Sequence, residues 1–253
     1  MLPRIVKQKA PALQRFLGKA YSLAEAKEIT KSEADIVFYD IFSPDFPGAG
    51  EWQERTVLGA YLPRIMNDME LSRAMAMLGR KKPGAIMTGN LGFLSRRADF
   101  DAPVYLDYSL NVFNDIDTLF FRRYNVIPVL SPELSLVELT GFKDREVVIF
   151  CHGDIALVNT KIEIKDEKLV DEKGFEFPVR KEDNYWQVLN SRPFGMFNDI
   201  RKLRTIGFNQ FFIDQQDETA YFILLYRKMI KQEVPDRRLR RGYTAGHIYK
   251  GVE

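Results

Sequence analysis

Glu146-Val147-Val148-Ile149-Phe150-Cys151-His152-Gly153-Asp154 is a short apolar run that stops abruptly in a His-Gly-Asp turn. A strand buried on both faces reads as such a run, because a parallel sheet is covered on both sides. In barrels of alternating strands and helices, the polar groups that do chemistry sit just past the carboxyl ends of the strands. His152 and Asp154 fall there. Two readings of His152 stand side by side: a site residue that titrates near neutrality, or a strand-end cap held by its ring nitrogens, with Gly153 permitting a turn at positive φ.

Outward from this run, strand-like and helix-like segments alternate, which predicts a parallel sheet with helical crossovers. Upstream, the strands read as 13–21, 34–39, 56–62, 85–88, 104–107 and 126–130, with 147–150 the seventh and 210–213 the eighth. Ser22 with Glu25 three residues on reads as a capping box opening a helix to about Lys31. Further helices are expected from Asp68 to Leu78, from Asn114 to Tyr124, after Ser135 and from Glu218 to about Gln232. Eight strands with short connections predict an α/β chain, a closed (β/α)₈ TIM-type barrel spanning 1–253 as a single domain. The exception is the connection between strands seven and eight, roughly fifty residues where a crossover needs far fewer. There, 161–164, 175–179 and 186–189 alternate apolar and polar residues around Glu172-Lys173-Gly174. That insert, about 155–192, reads as a small antiparallel β meander over the barrel mouth, followed by a helix from Phe197 to Ile206.

The 253 residues are 45% hydrophobic and 28% charged, an ordinary globular balance, and 37 basic residues nearly cancel 35 acidic ones. Net charge therefore gives no general argument for nucleic acid or membrane. One cysteine, Cys151, excludes an internal disulfide framework, and a chain with one thiol cannot build an iron–sulfur site alone. Cys151 reads as a small buried packing residue. Met1-Leu2-Pro3-Arg4-Ile5 opens no long apolar stretch and nothing later approaches a membrane span, so the expectation is a soluble cytoplasmic protein.

Several segments resemble the collagenase-like peptidase family, peptidase U-32. Val129-Leu130-Ser131-Pro132-Glu133-Leu134-Ser135-Leu136 resembles its "LS-x-EL-S/T-L" segment, Ile149-Phe150-Cys151-His152-Gly153 its "V-F-V-H-G" strand end, and Leu110-Asn111-Val112-Phe113-Asn114 its "LN-x-x-N" segment. Asp171 to Val179 resembles the "D-x-K-G-x-x-F-P-V" hairpin, and Arg241 to His247 the carboxyl-terminal "R-x-Y-T-x-G" segment. The resemblance implies a barrel and a hydrolase, nominally a peptidase, with His152 and Glu133 as proton-transfer groups at the mouth. The chain also departs from the family. Ala156 stands where members carry a cysteine, the insert has none, and Phe212-Ile213-Asp214-Gln215-Gln216 replaces a basic "K-I-E-G-R" segment. The alternative is therefore a noncatalytic or partner-dependent subunit of an RNA- or cofactor-modifying hydroxylation system, working with a homologous partner subunit.

Strand ends of the expected barrel converge Tyr39, Asp40, Arg64, Asn90, Asp107, Asn111, Glu133, His152, Asp154 and Asp214 on one mouth. Arg64, Asn90, Asp107, Asn111, Asp154 and Asp214 are candidates to bind a peptide or other polar substrate, since mixed carboxylates and an Arg can hold polar groups and move a proton. The plainer reading is that several cap strands and helices, Asp68 and Asp107 above all. Two carboxylates with a His could hold a divalent ion, but no metal site or cofactor is assigned. His152 and His247 are the sole histidines, and neither lies in a nucleophile motif. Gly89-Asn90-Leu91-Gly92 is a turn of the kind that forms an anion nest. In the tail, about 234–253, Arg237, Arg238, Arg240 and Arg241 beside Tyr243 could grip RNA phosphates and stack on a base, or form a solvated charge run.

Overall fold

The structure, a computed structural model, describes residues 14–182, 184–197, 199–231 and 242–249. β1 (Arg15–Lys19) leads through α1 (Leu23–Thr30) to β2 (Ile36–Asp40). β3 (Val57–Leu62), α2 (Asp68–Lys81), β4 (Ala85–Thr88) and β5 (Val104–Leu106) follow. Then come α3 (Asp115–Arg122), β6 (Val126–Leu130), α4 (Leu136–Gly141) and β7 (Val148–Gly153). The insert comprises β8 (Ala156–Thr160), β9 (Lys168–Val170), β10 (Glu176–Glu182) and β11 (Tyr185–Leu189). β12 (Phe194–Gly195), α5 (Asp199–Thr205), β13 (Gln210–Asp214) and α6 (Thr219–Ile230) complete the order.

β1 through β7 pair in sequence, all parallel, and β13 pairs with both β7 and β1, so the ring closes with eight strands. This is the expected (β/α)₈ barrel. Two crossovers differ from the expectation: 41–56, between β2 and β3, contains no helix, and Leu91–Asp99, between β4 and β5, is a 3₁₀ helix. The first four α-helices start where short polar side chains occupy orphan amides. Asn67, rather than Asp68, caps α2 in a full capping box with Glu70, and Asn114 with Asp117 and Ser135 with Glu138 do the same for α3 and α4. Ser22 caps α1 by accepting from the Glu25 amide, but the Glu25 carboxylate reaches past it to the amides of Tyr21 and Asp217.

The barrel wall alternates strictly enough to read its two faces. A Cβ on Gly18 would strike Thr219 and Ile223 of α6, so Gly18 faces the helices, and Leu17 and Lys19 face inward. Registers carry that parity around the ring: Leu17 aligns with Phe212, and Phe212 with Phe150.

The insert is a four-stranded antiparallel sheet in the order β8-β11-β10-β9. The strand expected at 161–164 is a bend between β8 and β9, and β8 lies just before it. Arg180 aligns with Gln187 and Gln187 with Asn159, which defines one face, the face turned to the mouth. Arg237, Arg238, Arg240 and Arg241 lie outside the described residues. Beyond them the chain is back on the barrel, where Gly195 donates to the Thr244 carbonyl and Leu136 to that of Ile248.

Candidate functional site at the barrel mouth

Lys19 ends β1 on the inward face, 3% exposed. A lone ammonium there would be costly, and three groups offset it. Its Nζ lies 2.7 Å from Glu182 Oε1 of the insert, 4.1 Å above the Tyr61 ring and 4.4 Å above the Tyr21 ring. Arg64, just past β3, lies 3.0 Å from Asp107 Oδ1 and stacks over Tyr108 at 4.4 Å. Tyr61 donates to Asp107 Oδ2 at 3.1 Å, which joins the two cations into one network. Burial opposes ionisation of Asp107 and Glu182, but Arg64, Ser109 and Lys19 together outweigh it at Asp107, and Lys19, Arg180 and Arg64 together outweigh it at Glu182. Both carboxyls are held below the usual range.

Arg180 descends from β10 and spans the rim. It lies 3.3 Å from Asp154 Oδ2, 3.5 Å from Glu182 Oε1, and 4.5 Å over the Tyr21 ring, while its Nη2 donates to Gln187 Oε1 at 2.9 Å. Tyr21 donates to Asp214 Oδ1. Asp154 and Asp214 end adjacent strands, tied by the Asp154 amide on the Asp214 carbonyl at 2.9 Å. Gly153 makes this approach: its φ is +135°, and a Cβ there would sit 2.1 Å from the Asp214 carbonyl oxygen. Asp154 keeps 16% of its side-chain exposure. Burial, only partly offset by Arg180, pushes its carboxyl up to about 6. Burial likewise pushes Glu25, whose carboxylate accepts from the Tyr21 amide, up to about 7. The mouth thus holds carboxyls with divided roles: two kept charged by buried cations, and one at the open edge poised to exchange a proton near neutrality.

Of the residues expected at the mouth, the structure brings together Arg64, Asp107, Asp154 and Asp214. Asn90 supports them from behind: its amide donates to the Arg64 carbonyl at 3.2 Å while its oxygen caps the 3₁₀ helix on the Gly92 amide. That use of the Gly89–Gly92 turn is a cap. Asn111 is an exposed left-handed residue ending a short turn, with φ 52°. Glu133 is exposed after β6, and among the described residues its side chain does not join the mouth network; its amide donates to Ser131 Oγ. Tyr39 faces out of the barrel, bonded to Asp45, and Asp40 accepts from the Phe42 amide.

As a site residue His152 would turn its ring into the mouth, toward Glu133 or Asp154; the structure turns it out, which leaves the structural reading of this histidine. The register of β7 against β13 skips Cys151, so that Phe150 aligns with Phe212 but His152 aligns with Ile213. This one-residue bulge reverses the face. His152 stacks on Phe222, among Phe197, Tyr226 and Tyr243, with Nδ1 3.2 Å from the Tyr226 hydroxyl. It is fully buried, and desolvation lowers its pKa to about 3, leaving a neutral ring in an aromatic box. Cys151 is buried, its thiol against the Phe212 carbonyl and its pKa raised by desolvation.

Sequence reasoning missed Lys19, Arg180, Glu182 and the tyrosines 21, 61 and 108. Lys19 had a signal: it shares the parity of Leu17 at a strand end. Arg180 and Glu182 alternate on β10, opposite Gln187 and Tyr185, but the face that meets the mouth is set by a contact 163 residues away in the chain.

Among the described residues no helix is long and apolar enough to cross a membrane, and no group of three or more His, Cys, Asp or Glu is arranged to hold a metal ion. Comparison with protein-family models, curated proteins and solved structures finds no match for this chain.

Proposed function

We propose that the chain is a hydrolase of a peptide or other polar substrate, working at the carboxyl-terminal mouth of the barrel with Asp154 as its proton-transfer group. The observation that carries this reading is Asp154 itself. It sits past the end of β7 at the open edge of a sealed ionic network, 3.3 Å from Arg180, with a carboxyl that titrates at about 6. A general base is most effective when its pKa lies near the working pH. Above pH 6, Asp154 would take a proton from water as its oxygen attacks an amide carbon, and Arg180 would hold the developing oxyanion. The protonated Asp154 would then give that proton to the leaving nitrogen as the C–N bond breaks. The peptide as substrate comes from the resemblance of the strand-end segments to peptidase U-32, which also supports membership of that family. The buried ion pairs Lys19–Glu182 and Arg64–Asp107 position the insert and the rim.

The test is hydrolysis of a mixture of synthetic peptides by the purified chain, with Asp154→Asn beside it. Turnover with an acid limb near pH 6, lost in the variant, is expected. Turnover equal in the variant would overturn the assignment of Asp154, and none in either would overturn the hydrolase reading.

The outer face of the insert favours a second reading, a partner-dependent subunit. Val158, Val188 and Val179 form an apolar row across three strands, and Phe177 aligns with Leu169 beside it. Val158 and Leu169 are exposed, and Val179 and Phe177 are half-buried. In that case activity would require addition of a homologous chain bearing the family's cysteines.

A further inference from the structure

The opposite end of the barrel carries a polar cavity that the mouth chemistry does not use. Arg15 and Lys19 are the first and last residues of β1, on the same inward face, so the cavity that Arg15 lines opens at the amino-terminal end of the strands. It encloses about 800 Å³, within the range of small-molecule sites. The cavity draws its charge from Arg15, Arg55 and Arg227, against Glu33 and Asp35. Arg227 is already engaged: it lies 3.1 Å from Asp35 and donates to the Glu33 carbonyl at 2.5 Å. Asp35 also accepts from the Phe16 amide at 2.7 Å. Among the described residues Arg15 and Arg55 have no ion-pair partner. With three guanidinium groups against two carboxylates, the wall carries one positive charge in excess.

Tyr105 lies at the head of the cavity. It is fully buried, edge-on to Phe38 at 5.6 Å, and its hydroxyl lies beside the Arg15 guanidinium, a group that only donates, so the phenol proton has no acceptor among the described residues. A buried hydroxyl left so is uncommon, and one that lines an open polar cavity points to a group that enters from solvent. The Arg15 and Arg55 guanidinium groups, without an ion pair among the described residues, and the phenol hydroxyl are donors, so that group is an anion with several acceptor oxygens. A phosphate monoester has three and a charge near two, whereas a carboxylate has two oxygens and one charge. Ile36, Val57 and Pro103 on the same wall offer apolar surface to the organic body of such a molecule.

We infer that this cavity binds a phosphate-bearing small molecule, held by Arg15, Arg55 and the Tyr105 hydroxyl. The site is distinct from the mouth and does not depend on the chain's being a hydrolase.

The experiment is calorimetric titration of the full chain with phenyl phosphate, inorganic phosphate and benzoate at fixed ionic strength. Saturable binding of phenyl phosphate, tighter than either of the others, is expected. Arg15→Gln or Arg55→Gln should weaken it roughly tenfold or more, and Tyr105→Phe severalfold, as charge-assisted and neutral hydrogen bonds are lost. Arg15 and Arg55 are exposed, so their variants keep the fold, and melting curves would check Tyr105→Phe. Asp154→Asn at the mouth should leave the affinity unchanged. Absence of saturation at millimolar phenyl phosphate, or equal affinity in an Arg15→Gln/Arg55→Gln double variant, would overturn the site. Benzoate binding as tightly would overturn its assignment to phosphate.

Discussion

The His152 imidazole lies against the Phe222 ring, centroids 3.6 Å apart and planes 25° from parallel, on the α6 side of the barrel wall. A ring packed this way is part of the core. His152→Ala should destabilise the fold by about 2–4 kcal/mol, the range for emptying a large buried side chain, read by denaturant unfolding. Phenyl phosphate binding at the far end should be unchanged in the folded variant. A loss below about 1 kcal/mol together with lost peptide hydrolysis would return His152 to the site.

Acid should act on the fold through the same residue. The folded-state pKa of His152 is lowered to about 3 from 6.5, so between those values the unfolded chain binds a proton that the native ring refuses. Its contribution to stability is therefore intact above pH 6.5 and falls as pH drops, by up to about 1.4 kcal/mol per pH unit. Glu25 and Asp154 act in the opposite sense. Their raised values mean that the native state takes up protons first, which favours folding as pH falls through 7 and 6. The His152 contribution is isolated by comparison: wild type minus His152→Phe, followed from pH 7 to pH 4, should show the slope. Parallel curves would mean that the imidazole is not held neutral.

The insert is pinned to the barrel by Lys19 and Glu182, 2.7 Å apart and both nearly sealed from water. Breaking one side of a buried pair strands the other charge. Lys19→Met alone should cost about 3–5 kcal/mol, and Lys19→Met/Glu182→Leu markedly less than the sum of the single variants. Additive losses in this double-mutant cycle would show that the pair carries no coupling.

Gly153→Ala should cost more than the roughly 1 kcal/mol of an average point mutant, because φ +135° is strained for any Cβ and the added carbon would sit 2.1 Å from the Asp214 carbonyl oxygen. A melting temperature equal to wild type would contradict the close approach of β7 and β13 on which the mouth depends.

The eight barrel strands were legible because each has an apolar middle ended by a turn or a polar group, as burial on both faces requires. Strand-end position alone found Arg64, Asp107, Asp154 and Asp214. His152 was read as lying just past a strand ending at Phe150, whereas β7 runs on to Gly153, and the extra residue at Cys151 turns the His152 side chain outward without any mark in composition. In the insert, Ile162 and Ile164 alternate like a strand yet lie in a bend, and β8 forms just before them because Asn159 and Val158 find partners in Gln187 and Val188 of β11. Such pairing is tertiary information. Arg180 and Glu182 were invisible as site residues for the same reason: their chemistry exists only where the insert meets Lys19 and Asp154.

The most direct measurement is a pH titration of the carboxyl carbon resonances by NMR, with Asp154 assigned by comparison with Asp154→Asn. A midpoint at about 6 for Asp154 is expected, with the His152 ring still neutral at that pH. An Asp154 midpoint near the ordinary 4, with His152 titrating near 6.5, would contradict it. The proton-transfer group would then be the histidine, and the mouth network a structural clamp alone.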